Sequence, residues 1–583
     1  MKKYLLLNCF LGFFVLFAQE DKQDKVLNIN INADRALKKF NKIQANPERK
    51  DTVMSVGSNQ YSVEPMLLPK TNPVSDSLKP LKLGVSTVLD TLHRAYIKTG
   101  IGVLNASPWV DLYYNSLRKK RWQYGVMHNH LSSFWYPWNN HRGIADNTMS
   151  RYFMDNYSRV WLKHVSHDWV LSSHIDYLRN DLNFYGFDNR IYQDANGEPL
   201  IASRDSIRQH HQKAGASLQF ATQKDTTELN WGVNFRYHYF DERFAVQEHY
   251  AKADAFVKFF LSEWLFDIRF GLDYNGQLVA PNQKMREKDW INRKYQDQNS
   301  SLLFAHPVIY YQARFLEMKL GLNLSTDMAM GKFYIFPDIE FRIITAKGRF
   351  IPYLGVSGQV ERQSFFELTR KNPYISEVQK IDNTYTPTHA YLGFRGSISK
   401  YLTYNLAANY RYTQKEAFFV PDTLASLGYK YYALYADYQR LFLSGEISFS
   451  KAENIKVSLL GGYNFYFFDK NKLDQVWYKP DFEIRLNSWF KVKEKWAINF
   501  GVYAQGFRYA RVAEKDLSGK IIFPIEELMP YVDANIGVEY FFTKRFTLWG
   551  NVNNLAHQLY ERYAGYTVQG IQVYAGVTYK FWR

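Results

Sequence analysis

Every second side chain is apolar along stretches long enough to cross a bilayer, and this periodicity limits what the chain is able to fold into. From Trp264 to Asn275, the residues Trp264, Phe266, Ile268, Phe270, Leu272 and Tyr274 share one parity, while Asp267, Arg269, Asp273 and Asn275 hold the other. A β-strand sends successive side chains to opposite faces, so one face of this segment is greasy and the other wet. The division recurs with Leu229, Trp231, Val233, Phe235, Tyr237 and Tyr239 set against Asn230, Asn234, Arg236 and His238. It recurs with Leu402, Tyr404, Leu406, Ala408, Tyr410 and Tyr412 against Thr403, Asn405, Asn409 and Arg411. Further copies run from Leu316 to Ser325 and from Ile455 to Phe467.

Each apolar face occupies five or six alternate positions, the ~9–11 residues that a tilted strand needs to cross hydrocarbon. Strands of globular proteins more often run about five or six residues in all. Aromatic residues stand toward the ends of these faces, as interfacial girdles do: Trp264 with Tyr274, Trp231 with Tyr239. The expected fold class is therefore all-β, a transmembrane antiparallel up-and-down β-barrel. About 22 segments follow from about Leu92 onward, an even number as bacterial barrels require.

Composition agrees. The chain of 583 residues is 46% apolar and 17% aromatic, which excludes disorder over most of its length. Yet mean hydropathy is −0.40, and no stretch after the leader approaches the ~18 apolar residues of a membrane helix. A single Cys excludes a disulfide scaffold. Residues 1–18 have the form of an export signal: Lys2 and Lys3, an apolar run from Tyr4 to Phe17, then Ala18. Its cleavage is expected to remove Cys9. A polar periplasmic arm over 19–80 is expected next, then the barrel over 81–583, in the cell outer membrane.

Connection lengths supply an orientation. Short joints fall at His164–Asp168, Lys224–Thr226, Ala346–Arg349, Ser399–Tyr401, Ser450–Asn454 and Phe542–Arg545, and are expected to face the periplasm. Long stretches at Trp135–Asn147, Gly186–Ser206, Leu278–Asn299, Gln363–Asn383, Lys415–Gly428 and Arg511–Pro524 are expected outside.

The C-terminal strand carries Val573, Ala575, Val577, Tyr579 and Phe581 on one face, and the chain ends Phe581, Trp582, Arg583. Before it stand Asn553, Asn554 and Leu555, then Tyr560 to Tyr566, and Tyr574 to Val577. This run resembles the end of TonB-dependent receptor barrels, by motif over about thirty residues and by architecture from about residue 81 onward. The final Arg583 departs from the usual aromatic terminus. The resemblance implies an outer-membrane receptor or transporter. Receptors of that family also carry a plug domain inside the barrel, more than twice as long as the segment Gln19–Pro80, so a barrel without its own plug is expected.

Within the arm, Leu27, Ile29 and Ile31 alternate with Asn28, Asn30 and Asn32, the pattern of a strand that adds to a periplasmic partner's sheet, or of a solvated tail. Ala33, Ala36, Leu37, Phe40 and Ile43 follow helical spacing. His128 and His130 share one face, but no Asp or Glu lies within ten residues, so no metal site is expected. Ser132 and Ser133 beside them raise a nucleophile-and-base pairing of the outer-membrane lipase kind, although spacing alone does not bring them face to face. Gly100 and Gly102 lack the third glycine and the helix of a phosphate loop.

The sequence thus points away from an enzyme, a cofactor or a nucleic-acid partner. The net charge of +17 fits either anion bias in a channel and contact with lipid phosphates, or ordinary solvated turns such as Lys119, Lys120 and Arg121. Asn234, Arg236, His238, Asp267, Arg269, Asp273, Asn405, Asn409 and Arg411 are the expected lumen lining. Outer-membrane lipid is the expected surround, and the small solute is not specified by the residues. Two functions follow: passage of solutes, alone or with a periplasmic or surface protein partner, and a non-transporting scaffold in an outer-membrane complex.

Overall fold

The computed structural model describes residues 94–581, with breaks at 104–106, 117–120, 134–151, 188–190, 193–195, 198–206, 224–228, 280–296, 346–347, 378, 424–425, 427 and 453. The leader, Leu27, Ile29, Ile31, the helical-period residues after them, Lys119 and Lys120 lie outside the described residues. So do the joint at 224–226, the stretch 135–147 and most of 278–299.

The period-two segments form one sheet of 22 strands. Its first members are β1 (Ala95–Gly102), β2 (Ser107–Asn115), β3 (Trp122–Ser133), β4 (Phe153–Val165), β5 (Trp169–Asn183), β6 (Arg208–Thr222), β7 (Asn230–Glu242) and β8 (Val246–Leu261). There follow β9 (Trp264–Val279), β10 (Gln298–Gln312), β11 (Leu316–Asp327), β12 (Lys332–Ile343), β13 (Ile351–Glu361), β14 (Thr384–Ser397) and β15 (Leu402–Pro421). The ring ends with β16 (Tyr431–Lys451), β17 (Ile455–Phe467), β18 (Phe482–Val492), β19 (Trp496–Gln505), β20 (Tyr531–Phe541), β21 (Phe546–Asn553) and β22 (Gln572–Phe581).

Each strand pairs antiparallel with its sequence neighbour, and β22 pairs with β1, placing Gly576 opposite Gly100 and Phe581 opposite Ala95. Closure matters because a strand edge in hydrocarbon would leave backbone N–H and C=O groups without partners. Among the described residues no helix is long and apolar enough to cross a membrane. The crossing elements are strands.

At the seam the two paired glycines make room for an indole. A Cβ on Gly576 would press on the Thr99 carbonyl and on Trp549, and one on Gly100 would strike the same ring. Trp549 in turn packs on Trp109, with ring centroids 5.3 Å apart, and Lys98 Nζ lies 4.1 Å from its ring centre.

The alternation sorts the side chains by face. Trp231, Val233, Phe235 and Tyr237 are exposed on β7, Phe270, Leu272 and Tyr274 on β9, and Leu459, Tyr463, Phe465 and Phe467 on β17. An apolar band with this exposure is stable only against lipid.

Connections at the end bearing β1's start and β22's finish are tight, as at 166–168, 262–263, 313–315 and 542–545. At the opposite end most are long, but the alternation is not strict: 243–245 and 328–331 are tight turns as well. One boundary needs correction. The stretch Lys415–Gly428 is not a loop throughout, because β15 continues to Pro421 in register with Tyr431 on β16. A register shift between Thr413 and Glu416 breaks the parity that makes a strand legible.

Candidate functional site

The parity opposite the apolar band carries a polar wall. Asn234 donates to Asp254 Oδ2 at 2.7 Å across β7 and β8. Arg236 stands exposed between its register partners Ser217 and Lys252. His238 stacks on Tyr250, centroids 4.6 Å apart, with Nε2 3.7 Å from Glu248 Oε1. Asp267 is buried between Lys258 at 3.1 Å and Arg269 at 3.2 Å. Asp273 meets Lys252 at 3.7 Å, accepts from the Tyr250 hydroxyl at 3.1 Å, and pairs with Arg362.

Farther round the ring, Asn405 accepts from the Tyr353 hydroxyl at 2.8 Å. Asn409 lies opposite Tyr391 and Phe442, and Arg411 opposite His389 and Arg440. Asp267 and Arg269 are joined directly, but the nine residues do not converge on one centre. They are spread over two arcs of one wall.

Several members of the wall escape a reading by single strands. Asp176 pairs with Lys213 at 3.0 Å, His306 with Asp338 at 2.7 Å, and Tyr391 donates to Glu340 at 2.7 Å. Each partnership joins different strands, so only the register reveals it.

Over the long-connection end lies a cap built by loops. Strand β5 stands half-way round a 22-membered ring from β16, yet connections from both sides share one aromatic core. Phe184 and Phe187 after β5 pack on Tyr429 before β16, at 6.1 and 5.5 Å between centroids. Phe240 on β7 packs on Phe365 and Phe366 of helix α1 (Phe365–Lys371), in the connection from β13 to β14. Tyr374, past α1, stacks on Tyr566 from the β21–β22 connection at 3.6 Å. Tyr566 donates to the Tyr429 carbonyl at 2.6 Å, and Tyr563 to that of Lys371 at 2.6 Å.

Local chemistry explains α1. Ser364 Oγ accepts from Glu367 N–H, and Glu248 Oε2 accepts from Phe365 N–H at 2.7 Å, so free donors of the first turn are met. Glu248 is thus one of the points where wall and cap touch, since its other oxygen faces His238.

Charge also ties the cap. Lys430 Nζ donates to Glu377 Oε2 at 3.0 Å, with both side chains almost wholly buried. Burial opposes the ammonium form, but the Glu377 carboxylate outweighs it and holds Lys430 above the ordinary lysine range. Lys430 also lies 4.2 Å from the ring centre of Phe244 and 4.7 Å from that of Phe184. Burial pushes the Tyr374 and Tyr566 phenols well up, so both remain neutral donors. Among the described residues no cluster of His, Cys, Asp and Glu is arranged to hold a metal ion.

No protein-family model matches the chain, and no curated protein matches it by sequence. Solved structures do match. The ferric enterobactin receptor PfeA of Pseudomonas aeruginosa superposes with a TM-score of 0.60 at 12% identity, over 84% of this chain and 81% of the receptor. The siderophore receptor PirA of Acinetobacter baumannii gives 0.60 at 10% identity, over 84% and 80%. FpvA, solved in complex with pyocin S2, gives 0.57 at 13%, over 84% and 70%. The chain has the fold of the siderophore-receptor barrels. Identities this low carry the architecture and nothing finer.

Proposed function

We propose that this protein is an outer-membrane transporter barrel, receptor-like but without a plug of its own, which passes solutes along its polar inner wall, alone or with a partner. Asn234, Arg236, His238, Asp267, Arg269, Asp273, Asn405, Asn409 and Arg411 line the path, and the aromatic cap closes its outer mouth. The observation that carries this reading is the cap: loops from opposite sides of the ring meet in one buried core above a wall of paired charges. A lumen of this width needs a gate.

The structural neighbours support the solute class only by analogy: PfeA was solved in complex with enterobactin, and FpvA with pyoverdines bound. By that analogy the solute is a small polar chelate, and Leu27, Ile29 and Ile31 of the arm are the proposed contact for a periplasmic partner.

The test is planar-bilayer conductance of the purified full-length chain. Wild type is expected to be nearly closed, while Lys430→Ala, which unpairs the buried Glu377, is expected to show frequent large openings. A folded variant that stays silent, with no uptake defect on deletion of the protein, would instead favour the scaffold.

A further inference from the structure

On the outward face of β3 and β4 the apolar band stops early. Trp122, Tyr124 and Val126 on β3, with Val160 and Leu162 on β4, are exposed in the usual way. Above them the same parity turns polar: His128 opposite Ser158, His130 opposite Asn156, then Ser132 opposite Met154. On β17, by contrast, the outward face stays aromatic to its upper end, with Tyr463, Phe465 and Phe467. Polar side chains turned toward lipid are costly and mark function more often than packing.

The upper polar residues form a relay. His130 Nδ1 lies 2.7 Å from Asn156 Oδ1, and His130 Nε2 lies 3.2 Å from Ser132 Oγ. An amide oxygen only accepts, so the imidazole proton sits on Nδ1. The Nε2 lone pair then faces the Ser132 hydroxyl. This is the nucleophile, base and orienting group of an acyl-transfer triad, recognised by geometry and roles rather than by chain order. The three residues stand about eight positions above the Trp122 level, roughly 20 Å along the membrane normal for a tilted strand. That height is the upper edge of an apolar band about 25 Å tall. Arg179, the register partner of Asn156 on β5, donates to Asp181 at 2.8 and 2.9 Å and flanks the triad with charge at headgroup level.

We propose that Ser132, His130 and Asn156 form a lipid-facing hydrolytic site for the fatty-acyl esters of outer-leaflet lipids, separate from the transport path. Ser132 Oγ bonds to the ester carbonyl carbon as its proton passes to His130 Nε2. The ester C–O bond breaks, and the alcohol departs with that proton. Water then gives its proton to Nε2 and its oxygen to the acyl carbon, releasing the fatty acid and restoring the Ser132 hydroxyl. Ser132 and His130 are the catalytic residues, and Asn156 is a positioning residue. Ser132 is nearly covered, 1% exposed, so ester and water reach it only when its surroundings part, and access is the step to probe. Its neighbour Ser133 has the opposite parity and bonds Gln569, so it serves as an internal control.

The test uses the full-length protein in detergent micelles, with folding checked by heat-modifiable migration. Treatment with a long-chain alkylsulfonyl fluoride is expected to label Ser132 and not Ser133. The label is lost in Ser132→Ala and His130→Ala, and is retained in Ser133→Ala. Fatty-acid release is measured in parallel from diacylglycerophospholipid and from lipopolysaccharide in mixed micelles, and the arm that responds identifies the lipid. Ser132→Ala is expected to lower release by about 10²-fold or more. Asn156→Ala is expected to lower it at least several-fold, with recovery in Asn156→Asp. The proposal is overturned if the folded protein releases no more acid than Ser132→Ala from either lipid, even where Ser132 takes the label.

Discussion

The wall and the cap are stabilised in different ways. In the wall every strand shares a ladder with two neighbours, and its charges meet across registers, as Asp267 does with Lys258 and Asp176 with Lys213. Stability there is distributed, and no single contact decides it. Among the described residues the cap has one short helix, three two-stranded ribbons outside the ring, and a core fed by loops from opposite sides. Within that core the buried pair Lys430–Glu377 and the stacked Tyr374 and Tyr566 join connections from different sides. Loop-built regions whose backbone is not tied into a continuous ladder open at lower free energy than ladders do. The cap should therefore open while the wall stays intact.

The largest effect expected is Lys430→Ala, which strands a buried carboxylate. Breaking such a pair costs about 3–5 kcal/mol, and here that cost should appear as faster hydrogen exchange in 365–375 and 429–433 with unchanged heat-modifiable migration. Loss of the folded band instead would erase the contrast between the two regions. Gly576→Val attacks the wall at its seam, where overpacking costs about 1–3 kcal/mol. Its signature should be the reverse: a lower unfolding temperature of the barrel, with cap exchange unaltered until the barrel melts.

pH sharpens the contrast further. The Lys430 pKa is raised on folding, so its contribution is fully present below the unfolded value of about 10.4 and is lost as pH rises through the folded one. Conductance of wild type should stay low at pH 7 and rise only under strongly alkaline conditions. Smallest of all is Asp267→Asn. It leaves Lys258 and Arg269 without their shared acid, and should shift ion selectivity toward anions in the opened Lys430→Ala background while changing stability by about 1 kcal/mol or less.

The wall was legible in the sequence because it repeats every two residues: Trp231 to Tyr237 and Phe270 to Tyr274 turn outward, as their spacing requires. The cap was not. Phe184, Phe365, Tyr429 and Tyr566 lie in connections without any period, and they meet only because the ring brings distant loops together. The upper part of β15 was hidden by the register shift after Thr413. His130 and Ser132 stood out by type, but their third member, Asn156, sits on the next strand beyond a long connection. Spacing within one strand carries no information about that neighbour.

The most direct measurement is a scan of single cysteines through β9 and β17, with Cys9, the only cysteine in the sequence, replaced by serine. Each site carries a spin label, and collision rates with oxygen and with a water-soluble nickel complex are compared in vesicles. A strict period of two is expected, with Phe270, Leu272, Tyr463 and Phe465 favouring oxygen and Asp267, Arg269, Asp273 and Asn464 favouring nickel or shielded from both. Equal access at neighbouring positions, or nickel access at Phe270 and Phe465, would contradict it.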